Sequence, residues 1–152
     1  MKPASFEYVI AESWDAAAAL LAEHGDDAVV LAGGQSLVPL MNFRLAQPAV
    51  LVDLNHIPDS AYLRIEGDCL RIGALTRHVR FEAPGIDGPL GRLLPRIARN
   101  IAHLPIRMRG TFGGRRRCLA CGLADGRCCA RYAGADDRAA RQSPVLQTGH
   151  AG

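Results

Sequence analysis

Val30-Leu-Ala-Gly-Gly-Gln-Ser-Leu37 decides the reading of this 152-residue chain. Val29, Val30 and Leu31 are β-branched or bulky apolar residues suited to a strand covered on both faces, and Gly33-Gly34 removes the side chains where the backbone must turn. Several N–H groups of such a turn are left pointing outward. With Ser36 as the N-cap of a short helix over Leu37 to Phe43, the turn and the helix N-terminus together suit a phosphate or pyrophosphate. A tight turn with no ligand is the plain alternative, and a Gly-Gly pair alone does not separate the two.

Outward from that turn, residues 1–55 read as a small α/β lobe with parallel strands. Phe6 to Ile10 alternates weakly as a strand. Ser13 stands where an N-cap should stand and Asp15 places negative charge in the first helical turn. Ala16 to His24 follows as a helix, with Ala16, Ala17, Leu20 and Leu21 at helical spacing and Gly25 as its C′ residue. Residues 28–31 and Val50 to Asp53 supply two further buried-type strands, and strands alternating with helices predict parallel pairing.

Residues 56–114 have a different rhythm. Tyr62 to Ile65 and Cys69 to Ile72 flank Glu66-Gly67-Asp68, which predicts an antiparallel hairpin. Thr76 is placed to cap a short helix through Arg77 and His78, ended by Pro84 and Gly85. Leu90, Leu93, Leu94, Ile97, Ala98 and Ile101 recur at helical spacing and give a stripe that must cover a sheet, most simply the one the hairpin begins. The fold class is therefore α+β, in two lobes.

Composition excludes several classes. No apolar run approaches the roughly 18–20 residues of a membrane span, and Met1-Lys2-Pro3 leads into no signal-type apolar segment. A cytoplasmic protein is expected. The net charge of +3 conceals two unlike parts. Residues 1–114 hold 11 Lys and Arg against 12 Asp and Glu, whereas residues 115–152 hold 7 Arg against 3 Asp, together with four of the five cysteines. That basic tail has Tyr132 as its one aromatic residue and no recognisable module, so no nucleic-acid partner is expected.

A second glycine pair closes Arg109-Gly-Thr-Phe-Gly-Gly114. One such turn per lobe favours a ligand held between two backbone cradles, and a long diphosphate cofactor would need both. Neither turn is the dinucleotide fingerprint, and neither carries the Lys-Ser/Thr of a P-loop. Taken with Val38 to Asn42, Leu70 to His78 and Ile106-Arg107, these turns resemble the FAD-binding medium subunit of molybdenum hydroxylases, the carbon-monoxide dehydrogenase and xanthine dehydrogenase type. The resemblance covers residues 1–114, as the N-terminal part of a longer family chain. His103-Leu104-Pro105 stands where the family usually reads His-Pro-Gln, and Met108 where it usually reads Asn.

The resemblance implies an oxidoreductase subunit whose cofactor, FAD, lies between an N-terminal α/β lobe and a second α+β lobe. Ala32, Gly33, Gly34, Gln35, Ser36 and Leu37 would wrap the pyrophosphate. Thr111, Phe112, Gly113 and Gly114 would close on it from the second lobe, and Ile101 would border the flavin. It also implies partners, a molybdopterin-containing large subunit and a 2Fe-2S small subunit, with electrons passing through the flavin to an external acceptor. No side chain is expected to be catalytic, because the isoalloxazine accepts the electrons. His78 and His103 read as loop histidines bonded locally rather than as acid/base groups.

After Gly114 the resemblance stops at Arg115-Arg-Arg-Cys-Leu-Ala-Cys121. Cys118, Cys121, Cys128 and Cys129 would offer a zinc or iron–sulfur site, although no histidine lies among them and adjacent cysteines are awkward ligands. A change of reading frame is the other account. Permitted codons for Cys118 to Asp136, read one nucleotide later, can spell an Asp-Trp-Pro step followed by an alanine- and leucine-rich helix, which resembles the family's continuation. On that account residues 115–152 carry no function and no fold, no metal site is expected, and the chain is a truncated, impaired flavoprotein subunit. The alternative function is a non-enzymatic small α/β ligand-binding module with a Cys-rich, metal-binding tail.

Overall fold

The computed structural model describes residues 2–67, 69–116 and 127–131, with Arg115, Arg116 and the last five given by their backbone. Strand β1 (Glu7–Ile10), helix α1 (Trp14–His24), strand β2 (Ala28–Leu31), helix α2 (Leu37–Asn42) and strand β3 (Val50–Asp53) build the first lobe. Its sheet has the order β1-β3-β2 and both pairings are parallel, with Val52 level with Val9 and Val30. All four residues of β3 are buried because the strand is central and covered on both faces. Val50 and Val52 pack in the cluster that holds Ala17, with Leu20 and Leu21 of α1 against it. Leu51, on the other face by the two-residue period of a strand, packs with Leu37 and Met41 of α2.

Ser13 caps α1 as its sequence position predicts, its Oγ accepting from the Ala16 N–H at 3.0 Å. Ser36 does not cap α2. Its backbone is already helical, at φ −104° and ψ −43°, and it makes no capping bond, whereas a side-chain cap needs an extended residue that can reach back to the first turn. The Gly34 carbonyl takes the Val38 N–H instead, at 3.0 Å.

Strands β4 (Leu63–Glu66) and β5 (Cys69–Gly73) form the expected antiparallel hairpin of the second lobe. Thr76 caps no helix either. It is 1% exposed, and its Oγ1 donates to the Tyr62 carbonyl at 2.7 Å, so the hydroxyl is spent on the base of the hairpin. A 3₁₀ helix over His78–Glu82 follows. Helix α3 (Gly88–Ala98) packs Leu90, Leu94 and Ala98 against Leu70, Ile72 and Phe81, while Leu93 and Ile97 stay exposed. Ile101 falls outside it. The helix closes through the Asn100 N–H to the Ile97 carbonyl, and Ala102 turns into positive φ at 45°, so the periodic stripe outruns the helix by one turn.

Helices α4 (Leu104–Arg109) and α5 (Phe112–Arg116) meet at Gly110, and the second glycine pair, Gly113-Gly114, lies inside α5 rather than in a turn. Pro105 sits in the first turn of α4, where a missing N–H costs nothing, so the sequence departure at 103–105 is accommodated by a regular helix start. Strand β6 (Arg127–Arg131) pairs antiparallel with β5, Leu70 opposite Ala130. This differs from a tail without fold over 115–152. The free edge of β5 offers a ladder of backbone groups, and pairing with it requires extended backbone rather than an apolar pattern. Cys128 and Cys129 occupy consecutive positions of β6, while Cys118 and Cys121 lie outside the described residues.

Ile57 and Leu75, both beyond residue 55, are buried in the first lobe's main cluster beside Val52 and Leu54. The lobes are thus joined by shared core. Among the described residues no helix is long and apolar enough to cross a membrane.

Candidate functional site

The site lies where the first glycine turn meets the second lobe at Arg109 and Gly110. Gly33 is pressed against the second lobe so closely that a Cβ there would stand 2.5 Å from the Arg109 carbonyl oxygen and 2.8 Å from Gly110 Cα. Gly34 has φ of 70°, a left-handed conformation that glycine adopts without penalty. Gln35 folds its side chain back, Nε2 donating to the Gly33 carbonyl at 3.0 Å, which stiffens the turn. Among the described residues, the N–H groups from Gly33 to Leu37 have no hydrogen-bond acceptor.

Beside this turn opens a cleft of about 500 Å³. Ala32, Gly33, Gly34 and Gln35 form one side, and Leu31, Val38 and Pro39 extend it with apolar surface. Asn55, Arg77, Met108 and Arg109 form the other. Among the described residues, two cations and no carboxylate line it. Such a lining suits an anionic group at the turn and an apolar ring beside it.

A polar chain supports the cleft. The Asp53 carboxylate, 4% exposed at the end of β3, accepts from the Tyr8 hydroxyl and from the Asn55 N–H at 2.9 Å. Asn55 Nδ2 donates to Asp53 Oδ1 at 2.5 Å and to the Ala32 carbonyl at 2.9 Å, and its Oδ1 accepts from Arg77 Nη2 at 2.7 Å. Arg77 Nη1 donates to the Arg109 carbonyl. Burial alone would raise the Asp53 carboxyl, but the hydrogen bonds from Tyr8 and Asn55 outweigh it and hold the group below its usual range. Acting as donor to that carboxylate raises the Tyr8 phenol above its ordinary value, with burial adding to the shift. Arg77 is lowered by burial and by the neighbouring Arg109, against the pull of Asp53.

Of the residues singled out from sequence, Ala32 to Gln35 line the cleft. Leu37 is core and Ser36 stands at the start of α2, apart from the lining. Thr111 is 2% exposed and Phe112 packs against the α3 cluster. Gly113 is tied by its N–H to the Ala74 carbonyl at 2.8 Å, and Gly114 stands exposed, its N–H on Thr111 Oγ1. Ile101 is half-buried in a loop fastened by Arg107, whose Nη1 donates to the Ile101 and Ala102 carbonyls while its Nε pairs with Glu82 at 2.5 Å. His78 is buried with Nε2 donating to the Thr111 carbonyl at 3.0 Å, a structural role, and His103 is exposed at the N-cap of α4. Asn55, Arg77 and Arg109 were missed. Arg77 and Arg109 do lie in the stretches that carried the resemblance, but nothing in their spacing marks them as neighbours of the first turn.

Residues 4–117 match the family described as the FAD binding domain in molybdopterin dehydrogenase. The chain belongs to this family. Among curated members it is 49% identical over 114 residues to the 6-hydroxypseudooxynicotine dehydrogenase complex subunit alpha of Paenarthrobacter nicotinovorans, covering 75% of this chain and 38% of the relative. It is 44% identical over 114 residues to the caffeine dehydrogenase subunit beta of Pseudomonas sp. (strain CBB1), covering 75% of this chain and 39% of that one. A solved carbon monoxide dehydrogenase from Hydrogenophaga pseudoflava superposes with a TM-score of 0.68 at 41% identity, over 75% of this chain and 40% of that chain. The chain therefore spans about two fifths of the length of the relatives it matches. The α+β fold in two lobes is that of the family, and its cofactor is FAD. The cleft fits part of that cofactor: the turn is free of side chains at Gly33 and Gly34, its N–H groups await acceptors, and the charged lining is cationic.

Proposed function

We propose that this chain holds FAD by its diphosphate against the Ala32 to Leu37 turn, as the flavin-bearing part of a cytoplasmic molybdenum hydroxylase. The partners in that reading are a molybdopterin-containing large subunit and a 2Fe-2S small subunit, and the role is passage of electrons from the iron–sulfur clusters to an external acceptor. Bound FAD supplies the redox chemistry, taking up and releasing electrons at its ring system. The chain supplies position and charge. The observation that carries the reading is the row of N–H groups from Gly33 to Leu37 without acceptors, opening on a cleft with Arg77 and Arg109 in its wall. Ile101 borders the ring from the loop that Arg107 fastens. Gly114 meets the cofactor from the second lobe, with Thr111, Phe112 and Gly113 fixing it from behind.

Titration of the purified chain with FAD, followed by quenching of flavin fluorescence, tests this. ADP should displace FAD and adenosine should not, since the diphosphate is the group held. Equal competition by the two, or no binding of FAD, refutes the assignment.

The match to the family ends at residue 117, beside the place where the sequence turns rich in Arg and Cys. That supports a change of reading frame after Gly114 and weakened retention of FAD. The nucleotide sequence across codons 112 to 137 decides it: a single-nucleotide shift that restores the family's continuation is the expected result, and an unambiguous frame removes the proposal.

A further inference from the structure

Deepening the proposed diphosphate cradle, we infer that Arg77 and Asn55 form a brace between the lobes that sets the position of the Gly33-Gly34 turn against Arg109 and Gly110, with Arg77 acting as a positioning residue through its forked geometry rather than its charge. Asn55 lies two residues beyond Asp53, the end of the first lobe's central strand, and Arg77 belongs to the second lobe. The Arg77 fork spans two acceptors, Asn55 Oδ1 at 2.7 Å and the Arg109 carbonyl. Asn55 in turn holds the Ala32 carbonyl at 2.9 Å, one residue before Gly33. The Arg109 carbonyl oxygen is the atom a Cβ on Gly33 would meet first. The brace therefore closes a ring: Ala32 to Asn55 to Arg77 to Arg109, and across the close approach back to Gly33.

The amide of Asn55 can serve in this ring in one orientation. Its oxygen faces the guanidinium donor, and its nitrogen faces two acceptors, the Ala32 carbonyl and the Asp53 carboxylate. Asp53, held by the Tyr8 hydroxyl, fixes that orientation from behind. A planar guanidinium reaches two acceptors at a fixed angle, whereas an ammonium on a flexible stem presents one point charge. The two substitutions Arg77→Lys and Asn55→Leu therefore separate geometry from charge, since the first keeps the cation and the second keeps the arginine.

The test uses the full chain with two readouts. Hydrogen–deuterium exchange without FAD reports the two sides of that contact, through the Val38 N–H on the Gly34 carbonyl and the His78 N–H on the Gly110 carbonyl. FAD titration reports the cradle. The brace predicts that Arg77→Lys and Asn55→Leu both speed exchange at these amides by about tenfold, while circular dichroism stays that of the parent. It also predicts that both weaken FAD binding by about tenfold, to the same extent at low and high salt. Full rescue by lysine, or unchanged exchange in Asn55→Leu, overturns the brace. Should the parent chain bind no FAD while exchange responds as stated, the brace stands and the diphosphate cradle fails.

Discussion

Replacing Gly33 by alanine adds one methyl group where the two lobes touch. That methyl would lie 2.5 Å from the Arg109 carbonyl oxygen and 2.8 Å from Gly110 Cα, both backbone atoms, so no side chain can swing aside. The approach is roughly 1 Å inside ordinary van der Waals contact, and relief requires the second lobe's turn to move bodily. Overpacking of this kind costs about 1–3 kcal/mol. In a chain of 152 residues each kcal/mol lowers the melting temperature by roughly 2–4 °C. Differential scanning fluorimetry with and without FAD is the assay. The expected result is a lowered midpoint in both states and a smaller rise on adding FAD, because the displaced turn also widens the cleft. Gly34→Ala offers a contrast. Its Cβ meets only side-chain tips at 3.2 Å, so its cost comes from φ of 70°, about 1–2 kcal/mol, without displacing the other lobe. A Gly33→Ala protein with the parent's midpoint and the parent's response to FAD would show that the close approach is not structural and refute the reasoning.

Tyr8→Phe should lower stability across the middle of the pH range and leave variant and parent alike at its acid and alkaline ends. The Asp53 carboxyl is lowered in the folded state, so its stabilisation is present above the unfolded value near pH 4 and is lost as pH falls through the lower folded value; the Tyr8 phenol is raised, so its part is lost only as pH rises above about 10. Urea midpoints should therefore differ most between parent and variant from about pH 5 to 9, and an equal difference at pH 2 would be the wrong outcome. Arg107→Met removes charged hydrogen bonds to Glu82 and to two loop carbonyls, and should cost about 1.5–3 kcal/mol in urea unfolding with faster amide exchange at Ile101. Thr76→Val removes one of the two donors on the Tyr62 carbonyl, which keeps the Gly73 N–H at 2.9 Å, for a loss of about 0.5–1.5 kcal/mol read in the same way.

The elements of both lobes were legible because their signals are local. Ser13 before an alanine-rich run, Gly67 between two apolar segments and the β-branched run into Gly33-Gly34 each act within a few residues, and each specifies the element found. Capping was legible where the backbone stayed extended and illegible where it did not. Ser13 caps, but Ser36 is drawn into helical conformation by the turn at Gly34, and the Thr76 hydroxyl is claimed by Tyr62, 14 residues away. Of the site, the glycine turn could be read and its wall could not. Asn55 and Arg77 meet across 22 residues, and Arg77 meets Arg109 across 32, at distances only the packing of the two lobes sets. The helix α3 stripe shows the reverse error. Its period continues to Ile101, but the backbone turns away after Ala98, and periodicity records which residues are apolar rather than where hydrogen bonding stops.

The order β1-β3-β2 bears on how the protein emerges from the ribosome. The first two strands made are the two edges, and each pairs with β3 and, among the described residues, with no other strand. Until Asp53 has left the exit tunnel, β1 and β2 have no backbone ladder to join, and α1 and α2 have no finished sheet to lie on. The nascent lobe must wait with Val29, Val30 and Leu31 unpaired, and closes in one event when the central strand slides between its neighbours. Codons that slow synthesis while Val50 to Asp53 are still inside the tunnel would lengthen that exposure, and a delay placed after they have emerged would give the lobe time to close before more chain follows.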